Sequence, residues 1–328
     1  KFDNQNIMIY KINSFMIDYK IYNVILCFLS IIFLGCESKK PVKDLIIHRF
    51  ENEFYNSNEQ NLKLLVKKYP YLFPKQYPIE TWKSFLKDST RIRIYEKSSI
   101  IFDDFETISN EILEIFLKLE EIFPEFERPK VITLNSQSEY EDRVIYADSL
   151  LFISLDSYLG KSFYPELPEY VSLNMSKEYI SNDVAEKISK HFVYKPNDRS
   201  LLSDMIYHGK VLYLNKYLTP FNKNYIKFHS DLSRINWADN NEYNIWSFFI
   251  EKDFLFSTTN DLKSRFISFS PFSKFNLDID KESPGGIGKW LGFKIVNSYM
   301  KNNKTSLEQL LKEDFYKIFK ESKYKPNK

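Results

Sequence analysis

The apolar run Tyr22 to Leu34, closing on Phe33-Leu34-Gly35-Cys36, constrains this chain more than any other stretch. It is too short to span a bilayer but has the length of a secretory h-region, and Lys11 and Lys20 supply its basic flank. A small residue directly before a cysteine suits a lipoprotein-type signal peptidase, which cuts between Gly35 and Cys36 once the thiol is acylated. Polar Glu37-Ser38-Lys39-Lys40-Pro41 follows at once, which argues against a buried strand or helix here. Phe33 is a departure, since Leu is the commoner residue three before the cysteine. The chain begins at Lys1, so translation is expected to start at Met8 or Met16, and residues 1–35 read as a signal peptide with an upstream extension.

This reading dictates how the rest must fold. The chain has two cysteines, of which Cys27 leaves with the signal and Cys36 carries lipid, so no disulfide is possible. Residues 36–328 must then be held by their core alone, which a chain of that length can manage. Each buried acyl methylene contributes about 0.8 kcal/mol, and a bacterial lipoprotein usually carries three chains such as palmitate, so attachment to the membrane is stable without a transmembrane helix.

Of the totals of 46 basic and 44 acidic residues, Lys1, Lys11, Lys20, Asp3 and Asp18 lie in the signal segment. What remains is close to neutral, which gives no electrostatic reason to hold nucleic acid, and no lysine run suggests a polybasic membrane patch. Glycine is scarce at seven residues and there are no repeats, so no long flexible linker is visible. The expected organisation is a lipidated tether at 36–43 and a single globular domain at 44–328. The expected fold class is α+β, predominantly helical with a small mixed sheet.

Leu45 to Tyr55 reads as a strand or a helix, and Leu62 to Lys68 as a helix stopped by Pro70. Tyr69-Pro70, Phe73-Pro74 and Tyr77-Pro78 make an irregular, aromatic-studded connection. The clearest helix is Phe105 to Phe123, with Ile108, Ile112, Ile115, Leu119 and Ile122 at three- and four-residue spacing. Val131 to Leu134, Arg143 to Tyr146 and Leu150 to Leu155 read as extended, the last two as a hairpin across Ala147-Asp148. Further helices are expected from Asp183 through His191 with Ser181 or Asn182 as cap, from Leu201 to Tyr217 capped by Ser200, over Trp237 to Lys252, over Gly285 to Met300, and as one or two pieces over Thr305 to Ser322.

Pro284-Gly285-Gly286-Ile287-Gly288-Lys289-Trp290 is glycine-rich and leads into a helix, but it lacks the spacing and the following Ser or Thr of a phosphate loop. Gly288 and Gly292, four apart, instead suit close packing on a neighbouring helix. Of the histidines His48, His191, His208 and His229, no two stand at i and i+4, so a His-Glu-x-x-His metal helix is absent. Each reads as a surface or satisfied histidine. No cysteine remains as a nucleophile and no Gly-x-Ser-x-Gly elbow occurs. No metal and no cofactor is expected.

Two blocks together resemble the signatures of the gliding-motility lipoprotein family GldB. One is Leu201-Leu202-Ser203-Asp204-Met205-Ile206-Tyr207-His208-Gly209-Lys210-Val211-Leu212-Tyr213, the other Ser283-Pro284-Gly285-Gly286-Ile287-Gly288-Lys289-Trp290-Leu291-Gly292-Phe293-Lys294-Ile295-Val296-Asn297-Ser298-Tyr299-Met300. Tyr158-Leu159-Gly160, Leu167-Pro168-Glu169-Tyr170 and Tyr324-Lys325-Pro326 support them. Within the blocks the resemblance marks Met205, Tyr207, His208, Gly209, Lys210, Tyr213, Pro284, Gly285, Gly288, Gly292 and Tyr299; the family more often shows Glu where His208 stands. It implies a periplasm-facing cell-envelope lipoprotein of Bacteroidetes-type bacteria, needed for gliding and linked to type IX secretion. It brings no catalytic residues, and its implied partners are the membrane, through lipid on Cys36, and other proteins of that machinery.

A more distant likeness is to zinc peptidases of the gluzincin kind. Overlaid here, their His-Glu-x-x-His falls on Ala185-Glu186-Lys187-Ile188-Ser189 and their late glutamate ligand on His208-Gly209. The likeness implies a zincin-like scaffold that keeps Glu186 and lacks the metal site, because three protein ligands are needed to fix the zinc. Glu186 and His208 should then face one cleft, with the Leu150 to Leu155 strand along it. The resulting expectation is a non-enzymatic, lipid-anchored component acting by protein–protein binding. The alternatives are a hydrolase using His208, His191 and Glu186, or a peptide- or glycan-binding module using aromatics such as those of Tyr69 to Tyr77.

Overall fold

The extended segments build a sheet covered on both faces, and its inner strand Lys130–Leu134 accordingly buries Val131, Ile132 and Thr133 in a row. The computed structural model describes residues 44–137 and 139–328, and Leu45–Lys328 forms one unit by itself. Cys36 and the expected signal peptide lie outside the described residues. The sheet is four-stranded with order β1-β2-β4-β3, where β1 is Ile47–Arg49, β2 Lys130–Leu134, β3 Val144–Ala147 and β4 Leu150–Ser154. Strand β2 runs parallel to β1 and β4, while β3 pairs antiparallel with β4 and forms one edge. Asp148, at φ 47°, turns the β3–β4 hairpin.

One face of the sheet, with Ile132, Leu134, Leu150 and Phe152, meets the aromatic residues of α1 (Phe50–Tyr55) and α3 (Ile79–Phe85) and the aliphatic ones of α2 (Glu59–Lys68). Helix α4 (Ser89–Ile101) lies against α1 and buries Ile94 in the core of the opposite face. The other face, with Val131, Val144, Leu151 and Ile153, packs on α5 (Glu106–Ile122) and α6 (Ile180–Phe192). The segment Leu45 to Tyr55 is thus both things it could be, a three-residue strand running straight into a helix.

Helix α7 (Leu201–Leu218) joins this core to a second, all-helical one. Ser200 caps it by accepting from Ser203 N at 3.2 Å. Leu201, Met205, Ile206, Val211 and Leu214 are buried on different sides of it, which is why it has no clear apolar stripe and behaves as a central helix. Around its first half pack α8 (Leu232–Asn240), α9 (Glu242–Glu251), α10 (Asn260–Phe266) and α11 (Ile287–Asn302), and α12 (Leu307–Lys312) and α13 (Phe315–Glu321) close the chain.

Three expectations are corrected. The single helix over Trp237 to Lys252 is two, because Asn241 bonds its side-chain amide back to the Trp237 carbonyl at 2.9 Å and interrupts the run. Ser181 and Asn182 do not cap α6: it starts a turn earlier, at Ile180, and both side chains are fully buried inside it. Helix α4 was not foreseen, since Arg91-Ile92-Arg93-Ile94 alternates like a strand and the helix buries only Ile94 and Ser98.

Candidate functional site

The two sequence blocks meet where α7 crosses α11, and glycine is required there by distance. A Cβ on Gly292 would lie 1.8 Å from the Met205 carbonyl oxygen, and one on Gly209 would lie 2.4 Å from the Gly292 carbonyl. Gly288 is as confined, with the Phe266 carbonyl 2.8 Å from where its Cβ would be. The two helix backbones therefore touch. Gly285 is pressed against Ser270, and Gly286 adopts φ 68° to turn the chain into α11, while Ser273 Oγ accepts from the Ile287 amide at 2.9 Å.

This contact fixes the neighbours of those glycines. His208 precedes Gly209 and Lys289 follows Gly288, and both side chains reach a cleft shared with one face of α6. On α6, Asp183, Glu186 and Lys190 recur at three and four residues and so lie on one side. Asp183, nearly buried, receives Arg143 Nη2 at 2.7 Å, the Tyr158 hydroxyl at 2.7 Å and His229 Nε2 at 2.7 Å. Arg143 also donates to the Asn174 carbonyl at 2.9 Å and lies over the Tyr140 ring at 4.1 Å. Glu186 pairs with Lys190 at 2.6 Å and lies 3.6 Å from His229 Nδ1. His229 is held in the left-handed region, φ 48°, and stacks on Tyr179.

Burial raises the Asp183 carboxyl, but Arg143 and His229 outweigh it and hold it below the usual carboxylate range. Burial likewise opposes ionisation of Glu186, and Lys190, His229 and Lys289 reverse that, so it stays ionised. Burial, reinforced by Lys289 and Lys190, holds His208 well below the ordinary imidazole range and keeps it neutral. Burial also depresses the Lys289 ammonium, against the pull of Glu186.

The cleft comprises a cavity of about 240 Å³ beside β3, lined by Tyr140, Val144 and Lys187 among others, and a tighter one of about 40 Å³ beneath His208 and Trp290. Glu186, His229, Phe269 and Lys289 line both. The residues present do not fit a zinc ion. Among the described residues no group of three or more His, Cys, Asp or Glu side chains is placed to hold a metal. Ala185 is buried in the core and offers no donor, and the Ser189 hydroxyl is buried without a partner.

Glu186 and His208 thus line one cleft. The strand beside it is the edge strand β3, and not Leu150 to Leu155 as expected, because β4 lies between β2 and β3. His191 is not brought to the site: it points along the hairpin, with Tyr146 against its ring at 5.2 Å and Asp148 at 3.5 Å. Lys210 is 2% exposed and donates to the carbonyls of Leu311 and Glu313, tying α7 to the end of α12, and burial lowers its pKa to about 8. Met205 and Tyr299 are core residues, Pro284 accepts from Ser273 Oγ, and Tyr213 lies near Phe293. Tyr207 is partly buried against the core.

Sequence reading passed over Arg143, Asp183, Lys289 and Tyr140 and took His229 for an ordinary histidine. The three-residue spacing of Asp183 and Glu186 was the one available signal; the others come from separate segments and have no local pattern.

No curated protein and no solved structure matches the chain. A family model described as gliding motility protein GldB matches residues 36–326, so the chain belongs to that gliding-motility family.

Proposed function

We propose that this protein is a lipid-anchored, periplasm-facing component of the gliding and type IX secretion machinery. In this reading it acts without catalysis, by binding an extended segment of another machinery protein along β3. The observation that carries the reading is an edge strand with free backbone groups beside the cleft. Ser154 N donates to the Arg143 carbonyl at 2.8 Å, and the register pairs Val144 with Ile153 and Tyr146 with Leu151. Antiparallel alternation then turns the N–H and C=O of Val144 and Tyr146 outward, where a strand can add. A peptidase-like ancestry would account for such a cleft, and the absence of imidazoles at Ala185 and Ser189 supports a role other than zinc catalysis.

Tyr146→Pro removes an outward amide without taking a bond from the β3–β4 ladder. Tyr146→Thr loses the same ring but keeps the amide. Cells carrying the proline variant should stop gliding while those carrying the threonine variant glide, with both proteins folded and membrane-bound. Equal gliding in the two would end the strand-addition reading. Peptide cleavage by the purified full-length chain, abolished by Glu186→Gln, would favour the hydrolase instead.

A further inference from the structure

The 240 Å³ cavity is lined by two hydrogen-bond donors with nothing to donate to. The Tyr140 hydroxyl is shut off from solvent and has no partner among the described residues. Lys289 is part-buried, and its Nζ makes no hydrogen bond or ion pair among the described residues; Glu186 acts on it only from beyond contact. A buried donor without an acceptor is costly, and a part-buried ammonium without a counter-ion draws an anion. One oxyanion between them would satisfy both.

The charge count agrees. Arg143, Lys187, Lys190 and Lys289 line this cavity against Glu141, Asp183 and Glu186, one cation in excess before His229 is considered. Asp183 is taken up by Arg143 and Glu186 by Lys190, which leaves Lys187 and Lys289 against Glu141, and of these two cations Lys289 lines both cavities. It stands in the first turn of the sixteen-residue α11, whose amide end adds to the positive field.

Shape says which carboxylate. A segment entering along Val144 meets Lys289 where the cavity narrows to about 40 Å³, room for a few waters and not for another residue. A chain end fits that space. We infer that the cleft takes the free C-terminal carboxylate of an extended polypeptide, seated between Lys289 and Tyr140. This rests on the strand-addition reading and adds the chemistry of the segment's end.

The test uses the full-length chain, immobilised in detergent, and a pool of random hexapeptides offered with free C-termini, with amidated C-termini, and with amidated C-termini whose last residue is Glu. Free acids should be retained about tenfold over amides, as a charge-assisted hydrogen bond gives. Lys289→Met should erase that preference, Lys289→Arg should keep it, and Tyr140→Phe should reduce it. Equal retention of acids and amides overturns the carboxylate inference. Equal retention of free acids and amidated Glu-ended peptides overturns the chain-end assignment. A pool N-methylated at alternate amides separates the two layers: if it keeps the acid preference undiminished, strand addition fails while the carboxylate seat stands. Retention of no pool sinks both.

Discussion

The crossing of α7 with α11 and the cleft beside α6 share two helices yet are stabilised by opposite means. At the crossing the side chains are absent: Gly209, Gly288 and Gly292 let backbones touch, and Met205, Leu291 and Ile295 fill what remains. In the cleft the side chains are long and charged, and each buried carboxylate is matched by a cation. Residues one apart in sequence go to different regions, His208 to the cleft and Gly209 to the crossing, Lys289 to the cleft and Gly288 to the crossing. The comparison teaches that the crossing is the rigid part that aims the cleft. A helix pair held backbone to backbone has little freedom to rotate, so His208 and Lys289 are fixed without a side-chain hydrogen bond to any of the described residues.

The sharpest way to break this comparison is to disturb each region separately. Arg143→Met should cost about 3 to 5 kcal/mol in urea unfolding, because Asp183 is left buried with its strongest partner gone. The double variant with Asp183→Leu should recover most of that loss, since removing a buried pair altogether is close to neutral. Failure to recover would mean that Arg143 acts by packing on Tyr140 and Tyr158 and not by charge. Gly292→Ala comes next, at about 3 kcal/mol, because its methyl would overlap the Met205 carbonyl and the helices must part. If the crossing aims the cleft, this variant also loses peptide retention; retained binding at reduced stability would uncouple the two regions.

The crossing could be read from the sequence and the cleft could not, for a physical reason. Close helix contact leaves a local mark, glycines four apart within an apolar run, so Gly288 and Gly292 were visible with no partner named. The partner surface, at Gly209 and Met205, was not. The cleft draws Tyr140 and Arg143 from the start of the hairpin, Asp183 and Glu186 from α6, His229 from a loop and Lys289 from α11. Its charges meet only through tertiary structure. The strands β2 to β4 were legible as short runs rich in apolar and β-branched residues, but their order was not, and this misplaced the cleft's edge on β4 instead of β3. The break at Asn241 and the start of α6 at Ile180 turn on single side chains choosing between backbone and core, which periodicity does not weigh.

The pH dependence gives a smaller, directional test. His208 has a folded pKa below its unfolded value, so above about pH 6.5 it costs nothing, and stability falls as pH drops below that value because only the unfolded chain takes the proton. Asp183 and Glu186, also depressed, support the fold above their unfolded values near pH 4 and lose that support only as pH falls through the folded ones. Between pH 6.5 and 5 the slope therefore belongs largely to His208, up to about 1.4 kcal/mol per pH unit. His208→Gln should flatten it; His48 acts in the same direction, and Glu111 and Asp156, whose carboxyls burial raises, act against both. An unchanged slope would place His208 in contact with solvent or an anion and remove it from the cleft.

The smallest expected effect tests whether α7 transmits between the regions at all. Ser200 caps the helix through Ser203 N, and its own amide donates to Asp198 Oδ1 at 2.8 Å. Ser200→Ala should cost about 1 kcal/mol, read as a lower urea midpoint with the m-value unchanged. His208 lies two helical turns further on, beyond Met205, whose carbonyl is already pinned against Gly292. Fraying at the cap should stop at that contact. The variant should then keep the wild-type slope between pH 6.5 and 5 and the same retention of free-acid peptides. A changed slope would mean that the glycine contact does not isolate the cleft from the helix end, and the crossing would be close packing without an aiming role.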